Sequence, residues 1–89
     1  MSKKNEIFFI SLKILQMRSE LFKIINDIRI NKGETIVDKI EDSDNLRDDL
    51  GFNSFDLAEL TVKVEDKFEI DIFENGIVNT IKEVLEKLN

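Results

Sequence analysis

The chain has 89 residues, no Cys, no His, 36% charged residues and a formal net charge of −6. That length holds one small domain, and the composition excludes disulfides, Cys/His zinc sites and Ser-His-Asp or Cys-His catalytic machinery. Nucleic-acid binding needs a basic stripe and is disfavoured, whereas an acidic surface suits basic protein partners.

No apolar run is long enough to span a bilayer. Lys3 and Lys4 precede an apolar stretch, as in a secretory leader, but Lys13 interrupts it and no small-residue cleavage site follows. The expected location is cytoplasmic. Proline is absent, and Gly33, Gly51 and Gly76 are the only glycines, so they punctuate the chain. Apolar residues recur at helical rather than alternating spacing, which predicts an all-α domain.

The first predicted helix runs from about Lys4 to Asn31. Ile7, Ile14, Leu21 and Ile28 recur every seven residues, and Ile10, Met17 and Ile24 form a second series offset by three. This heptad seam has no breaker, and Phe8, Leu15 and Phe22 widen it. Residues 34–52 follow as a long loop, with Ile36, Val37, Ile40, Leu46, Leu50 and Phe52 as candidate anchors among many acids. Asp42, Asp44, Asp48 and Asp49 suggest a calcium loop. An EF-hand begun at Asp42 would need Gly at position 47 and Glu at 53, where Arg47 and Asn53 stand.

The second helix is predicted over Ser54 to Phe68. Leu57, Leu60, Thr61, Val64 and Phe68 share its core face, and Phe55, Ala58 and Val62 lie opposite among acids. A turn or very short helix fits between Glu69 and Gly76. The last helix starts near Thr80, where Thr80 and Glu83 have capping-box spacing, and Ile77, Val78, Ile81, Val84, Leu85 and Leu88 supply its buried stripe. Residues 1–33 carry seven basic and three acidic residues, a net of +4. Residues 34–52 and 53–74 each carry two and seven, a net of −5, so acid flanks Ser54 on both sides.

Leu50-Gly51-Phe52-Asn53-Ser54-Phe55-Asp56 resembles the acyl carrier protein motif, a Leu-Gly-x-Asp-Ser-Leu run that ends a loop and opens a helix. Leu57-Ala58-Glu59-Leu60 and Val64 to Ile72 resemble that family's second helix and the turn after it, and the likeness runs from about Arg18 to Leu88. The resemblance implies an acyl-carrier-like bundle of three to four helices, with a long first loop and a short or absent third helix. It implies that Ser54 receives a covalent 4'-phosphopantetheine arm from a phosphopantetheinyl transferase, and that the chain is not an enzyme. The arm then holds acyl groups as thioesters for acyl-transferring or acyl-modifying enzymes with basic docking patches, in fatty-acid-like or specialised lipid and polyketide synthesis.

Physical chemistry favours such a serine. A phosphodiester at a helix start sits at the positive end of the helix dipole, near unpaired backbone amides. Seen alone, Ser54 reads as a plain N-cap. The expected docking residues are Phe55, Asp56, Ala58, Glu59, Val62, Glu65, Asp66 and Glu69. Leu60, Val64, Phe68, Ile72 and Ile81 resemble the family's acyl-pocket lining, although simple core packing also accounts for them. The chain departs from the pattern at Asn53, where Asp is usual, at Phe55, and in a shorter segment after Ile72, which together point to a specialised carrier. The competing reading is a carrier-like interaction module that never receives an arm. Residues 1–16 exceed the usual family length and are read as a helical extension to a carrier domain over 17–89. Their apolar side needs cover, and self-association through this helix is the expectation.

Overall fold

The computed structural model describes residues 3–88, with side chains from Leu12 onward. Three helices form, α1 (Lys3–Asn31), α2 (Ser54–Phe68) and α3 (Ile81–Leu88). The expected all-α bundle is present, and no β-strand occurs among the described residues beyond an isolated antiparallel bridge between Asn45 and Thr80. No helix there is long and apolar enough to cross a membrane.

The seam of α1 becomes the floor of the core. Met17, Leu21, Ile24, Ile25 and Ile28 are buried. The helix stops at Gly33, whose φ of +88° suits a residue without Cβ. The Gly33 N–H bonds the Ile30 carbonyl at 3.0 Å, and the Glu34 N–H reaches back to the Arg29 carbonyl at 2.8 Å. This pair of bonds satisfies carbonyls that would otherwise be left at the helix end. Toward its start α1 leaves the bundle behind: Leu12, Ile14 and Leu15 are exposed. The backbone passes residues 16 and 17 without a break. The side chains of Ile7, Phe8, Phe9 and Ile10 lie outside the described residues.

The loop over 34–52 has little regular structure but many ties. Ile40, Leu46, Leu50 and Phe52 are buried as expected and Val37 packs against them, whereas Ile36 is exposed. Ile36 follows the tight turn at Gly33, before the loop has returned to the core. Arg18 donates to Asp42 at 2.6 Å and to the Ile40 carbonyl at 2.7 Å, and Asn26 exchanges two bonds with Val37. Two acids of the run that fails the calcium-loop spacing serve the loop's own turns. Asp44 accepts the Glu41 N–H, and Asp49 accepts that of Asn45. Asn45 in turn accepts from Arg47 and Asp48.

Between Glu69 and Thr80 the chain makes turns and no helix. Asp71 Oδ1 accepts the Phe73 N–H at 2.9 Å, and Gly76 closes a further turn with Phe73. In α3, Ile81, Val84 and Leu88 are buried and Leu85 packs against the core. Val78 is buried just ahead of the helix, but Ile77 is 81% exposed, because it precedes the helix and follows no helical register. Thr80 caps α3 through its Oγ1, which accepts the Glu83 N–H at 3.2 Å. Glu83 returns its carboxylate to the Thr80 hydroxyl at 3.1 Å rather than to a backbone amide. The free amides of Ile81 and Lys82 are taken instead by the carbonyls of Asp44 and Asp42, at 3.0 and 2.9 Å.

Candidate functional site

The turn into α2 is assembled from three parts of the chain. Gly51 takes φ +74°, a conformation most residues avoid. Its carbonyl accepts Lys32 Nζ at 2.7 Å, and Arg29 Nη1 donates to the Leu50 carbonyl. Asn53 then caps the helix. Its Oδ1 accepts the Asp56 N–H at 2.9 Å, while Asp56 Oδ2 accepts the Asn53 N–H at 2.9 Å. This reciprocal box is the reason α2 starts where it does. Asn53, not Ser54, is the N-cap, so the plain capping role of the serine is taken by its neighbour.

Ser54 is the first residue of α2 and is exposed. The N–H groups of Ser54 and Phe55 have no acceptor among the described residues. A helix start thus offers an accessible hydroxyl beside two unsatisfied donors, which fits a negatively charged substituent on that oxygen.

Asp56 corrects one expectation. Instead of joining an outer docking face it is buried, at 7% exposure, and pairs with Lys32 Nζ at 2.5 Å. Burial pushes its carboxyl pKa up. The Lys32 hydrogen bond, the Asn53 N–H and the Lys32 charge together outweigh that, and the net shift is downward. The carboxylate next to Ser54 is therefore ionised, neutralised and turned inward.

The other expected docking residues lie on the outer side of α2. Phe55 is 86% exposed, Val62 and Ala58 are exposed, and so are Glu65, Asp66 and Glu69. Glu59 is half-buried and lies 3.9 Å from Lys63. Lys67 is turned away from this face toward Glu20 of α1, at 3.5 Å. Glu69 ends α2 in the left-handed conformation, with φ 59°.

The residues expected to line an acyl pocket are core residues here. Leu60, Val64, Ile72 and Ile81 are fully buried in close packing, and Phe68 is half-buried against them. The space that opens next to Ser54 is a shallow groove of about 380 Å³ lined by Arg47, Ser54, Leu57, Ala58, Thr61 and Phe73. Sequence spacing had set Leu57 and Thr61 on the inner side of α2. Nothing in the local pattern could bring Arg47 or Phe73 to the serine, because both reach it through loop geometry. No cluster of acids that could hold a metal ion occurs among the described residues.

A family model described as a phosphopantetheine attachment site matches residues 33–88, well over half of the chain. The match takes in the loop, α2 with Ser54, and α3. No solved structure matches.

Proposed function

We propose that Ser54 Oγ is the attachment point, because this chain belongs to the phosphopantetheine attachment site family, whose domain takes a covalent 4'-phosphopantetheine group. The observation that carries the reading is the exposed hydroxyl at the first turn of α2, beside two unpaired amides and an Asp56 already neutralised by Lys32. When bound, the arm supplies the thiol that holds an acyl group as a thioester. With no Cys and no His, the chain has no thiol or imidazole of its own for such work. Its residues present the hydroxyl, hold the turn and offer a surface, and partner enzymes perform the reactions. The cargo belongs to fatty-acid-like or specialised lipid and polyketide synthesis. Co-expression with a phosphopantetheinyl transferase tests the reading by intact mass: one added phosphopantetheine supports the carrier, and none supports the unmodified interaction module.

Docking falls to the outer face of α2. Phe55, Ala58 and Val62 form an exposed apolar strip, and Glu59, Glu65, Asp66 and Glu69 surround it with negative charge. Such a surface steers a basic partner before contact. Reversing Glu65 and Asp66 to Lys is expected to slow arm transfer several-fold at low salt and to flatten its dependence on ionic strength. Stopped-flow transfer assays at 20 and 500 mM NaCl read both effects, and unchanged kinetics at low salt count against this face.

The acyl chain enters through the groove between Leu57, Ala58 and Phe73, and the residues beneath it, Leu60, Val64, Phe68, Ile72 and Ile81, part to admit it. The extension over residues 1–16 precedes the carrier domain and mediates self-association. Leu12, Ile14 and Leu15 continue α1 beyond the bundle without cover, and the heptad seam runs through Ile14 with Leu15 beside it. Sedimentation of the full chain beside a version starting at Met17 is expected to give a dimer and a monomer at tens of micromolar. Two monomers end this proposal.

A further inference from the structure

Arg47 stands in an unusual position for a basic residue in this chain. The segment 34–52 carries seven acids and only Lys39 and Arg47 as cations. Lys39 pairs with Glu41. Arg47 has no acid within ion-pair distance among the described residues and is the only charged residue lining the groove beside Ser54. Its backbone is fixed: the Arg47 N–H donates to Asn45 Oδ1 at 2.9 Å, and its carbonyl accepts the Gly51 N–H at 3.1 Å. Asn45 is in turn anchored by Asp49 and by the bridge to Thr80. The loop thus fixes the point from which this exposed side chain reaches over the groove.

The cap that flanks Ser54 offers Arg47 no free carboxylate. Position 53 is a neutral Asn that caps α2, and Asp56 faces inward to Lys32. The groove beside the serine thus has one cationic lining residue, Arg47, and the helix start has two unpaired backbone amides, within a chain whose overall charge is −6. The rest of the groove is Leu57, Ala58, Phe73 and the Thr61 hydroxyl, which already donates to the Leu57 carbonyl.

We infer that Arg47 is a positioning residue that pairs with the phosphodiester of the arm on Ser54 and draws the arm's root into this groove. The inference rests on Ser54 as the attachment point. A phosphodiester carries one negative charge at neutral pH and accepts hydrogen bonds on its two non-bridging oxygens, and a guanidinium matches that pair of acceptors with two parallel N–H groups. A lysine supplies the charge but not the paired donors. Pairing at the root lowers the mobility of the arm and sets its starting direction along Leu57 and Phe73.

The test uses the arm-loaded full chain as wild type, Arg47→Gln and Arg47→Lys, with loading checked by intact mass and folding by circular dichroism. Two signals are read. One is the ³¹P resonance of the phosphodiester at 20 and 500 mM NaCl, and the other is the electron paramagnetic resonance linewidth of a nitroxide on the arm's thiol. The wild-type ³¹P resonance is expected to move with salt as the pair is screened. Arg47→Gln should start at a different position and show little salt dependence, with a narrower nitroxide spectrum, and Arg47→Lys should fall between. Coincident ³¹P and nitroxide spectra of wild type and Arg47→Gln at 20 mM NaCl overturn the pairing while leaving the attachment site standing. Failure of the wild type to gain the arm overturns the attachment reading instead, and the pairing with it.

Discussion

Ser54→Ala is expected to gain no phosphopantetheine while keeping the helical content and stability of the parent chain. The functional loss is complete because the hydroxyl oxygen is the atom that would bond to phosphorus, and alanine has none. The structural loss is small because the serine side chain makes no hydrogen bond among the described residues, and Asn53 supplies the cap. Surface substitutions without such roles change stability by about 0.5 kcal/mol or less. Intact mass after co-expression with the transferase, and urea denaturation of the two proteins, check the two halves separately. An added phosphopantetheine on Ser54→Ala would mean that another hydroxyl is the true acceptor.

The second large effect is expected at Lys32. Lys32→Met keeps most of the side chain's apolar length and removes its charge, leaving Asp56 buried without its cation. An uncompensated group of this kind costs about 2 kcal/mol. The loss should also reach function, since Lys32 braces the Gly51 carbonyl as well as Asp56 and so holds the turn that presents Ser54. Slower arm transfer is expected alongside the lower urea midpoint. Pairing Lys32→Met with Asp56→Asn should recover a large part of the stability, because no lone charge is then left inside and Asn can still accept the Asn53 N–H.

Acid provides an independent reading of the same pair. The Asp56 carboxyl is held below its ordinary value, so folding favours its ionised form. That contribution is fully present above the unfolded-state pKa of about 3.9 and is lost as pH falls through the lower folded value. Wild type should therefore lose stability below about pH 4 more steeply than Lys32→Met. Parallel urea midpoints for the two proteins from pH 6 down to pH 3 would show that the pair adds nothing.

Helix positions were legible in the sequence because their causes are local. The heptad seam from Ile7 to Ile28, the run from Ser54 to Phe68 and the Thr80–Glu83 spacing are each short-range in sequence, and α1, α2 and α3 follow them closely. Ser54 was legible for a similar reason, as part of a short contiguous motif. The fate of Asp56 was not. An acid on a helix is normally solvated, and only Lys32, twenty-four residues away, makes its burial tolerable. The groove was missed because Arg47 and Phe73 come from two irregular segments on either side of α2. Ile77 was misjudged because its spacing from Ile81 is helical while its backbone is not.

The bonds from Asp42 and Asp44 to the start of α3 bear on how the chain folds. A helix of eight residues does not persist alone in water. Here its first amides find acceptors only as a loop some forty residues upstream closes on it, and that loop gains its Asn79 and Thr80 partners at the same moment. Neither half can form first and wait for the other. Loop closure and the last helix belong to one cooperative step with a high share of non-local contacts. The turn that presents Ser54 lies inside that closed loop segment. Variants that melt α3 are therefore expected to loosen the loop leading into Ser54 as well, while Arg29 and Lys32 still tie the turn at Gly51 to α1.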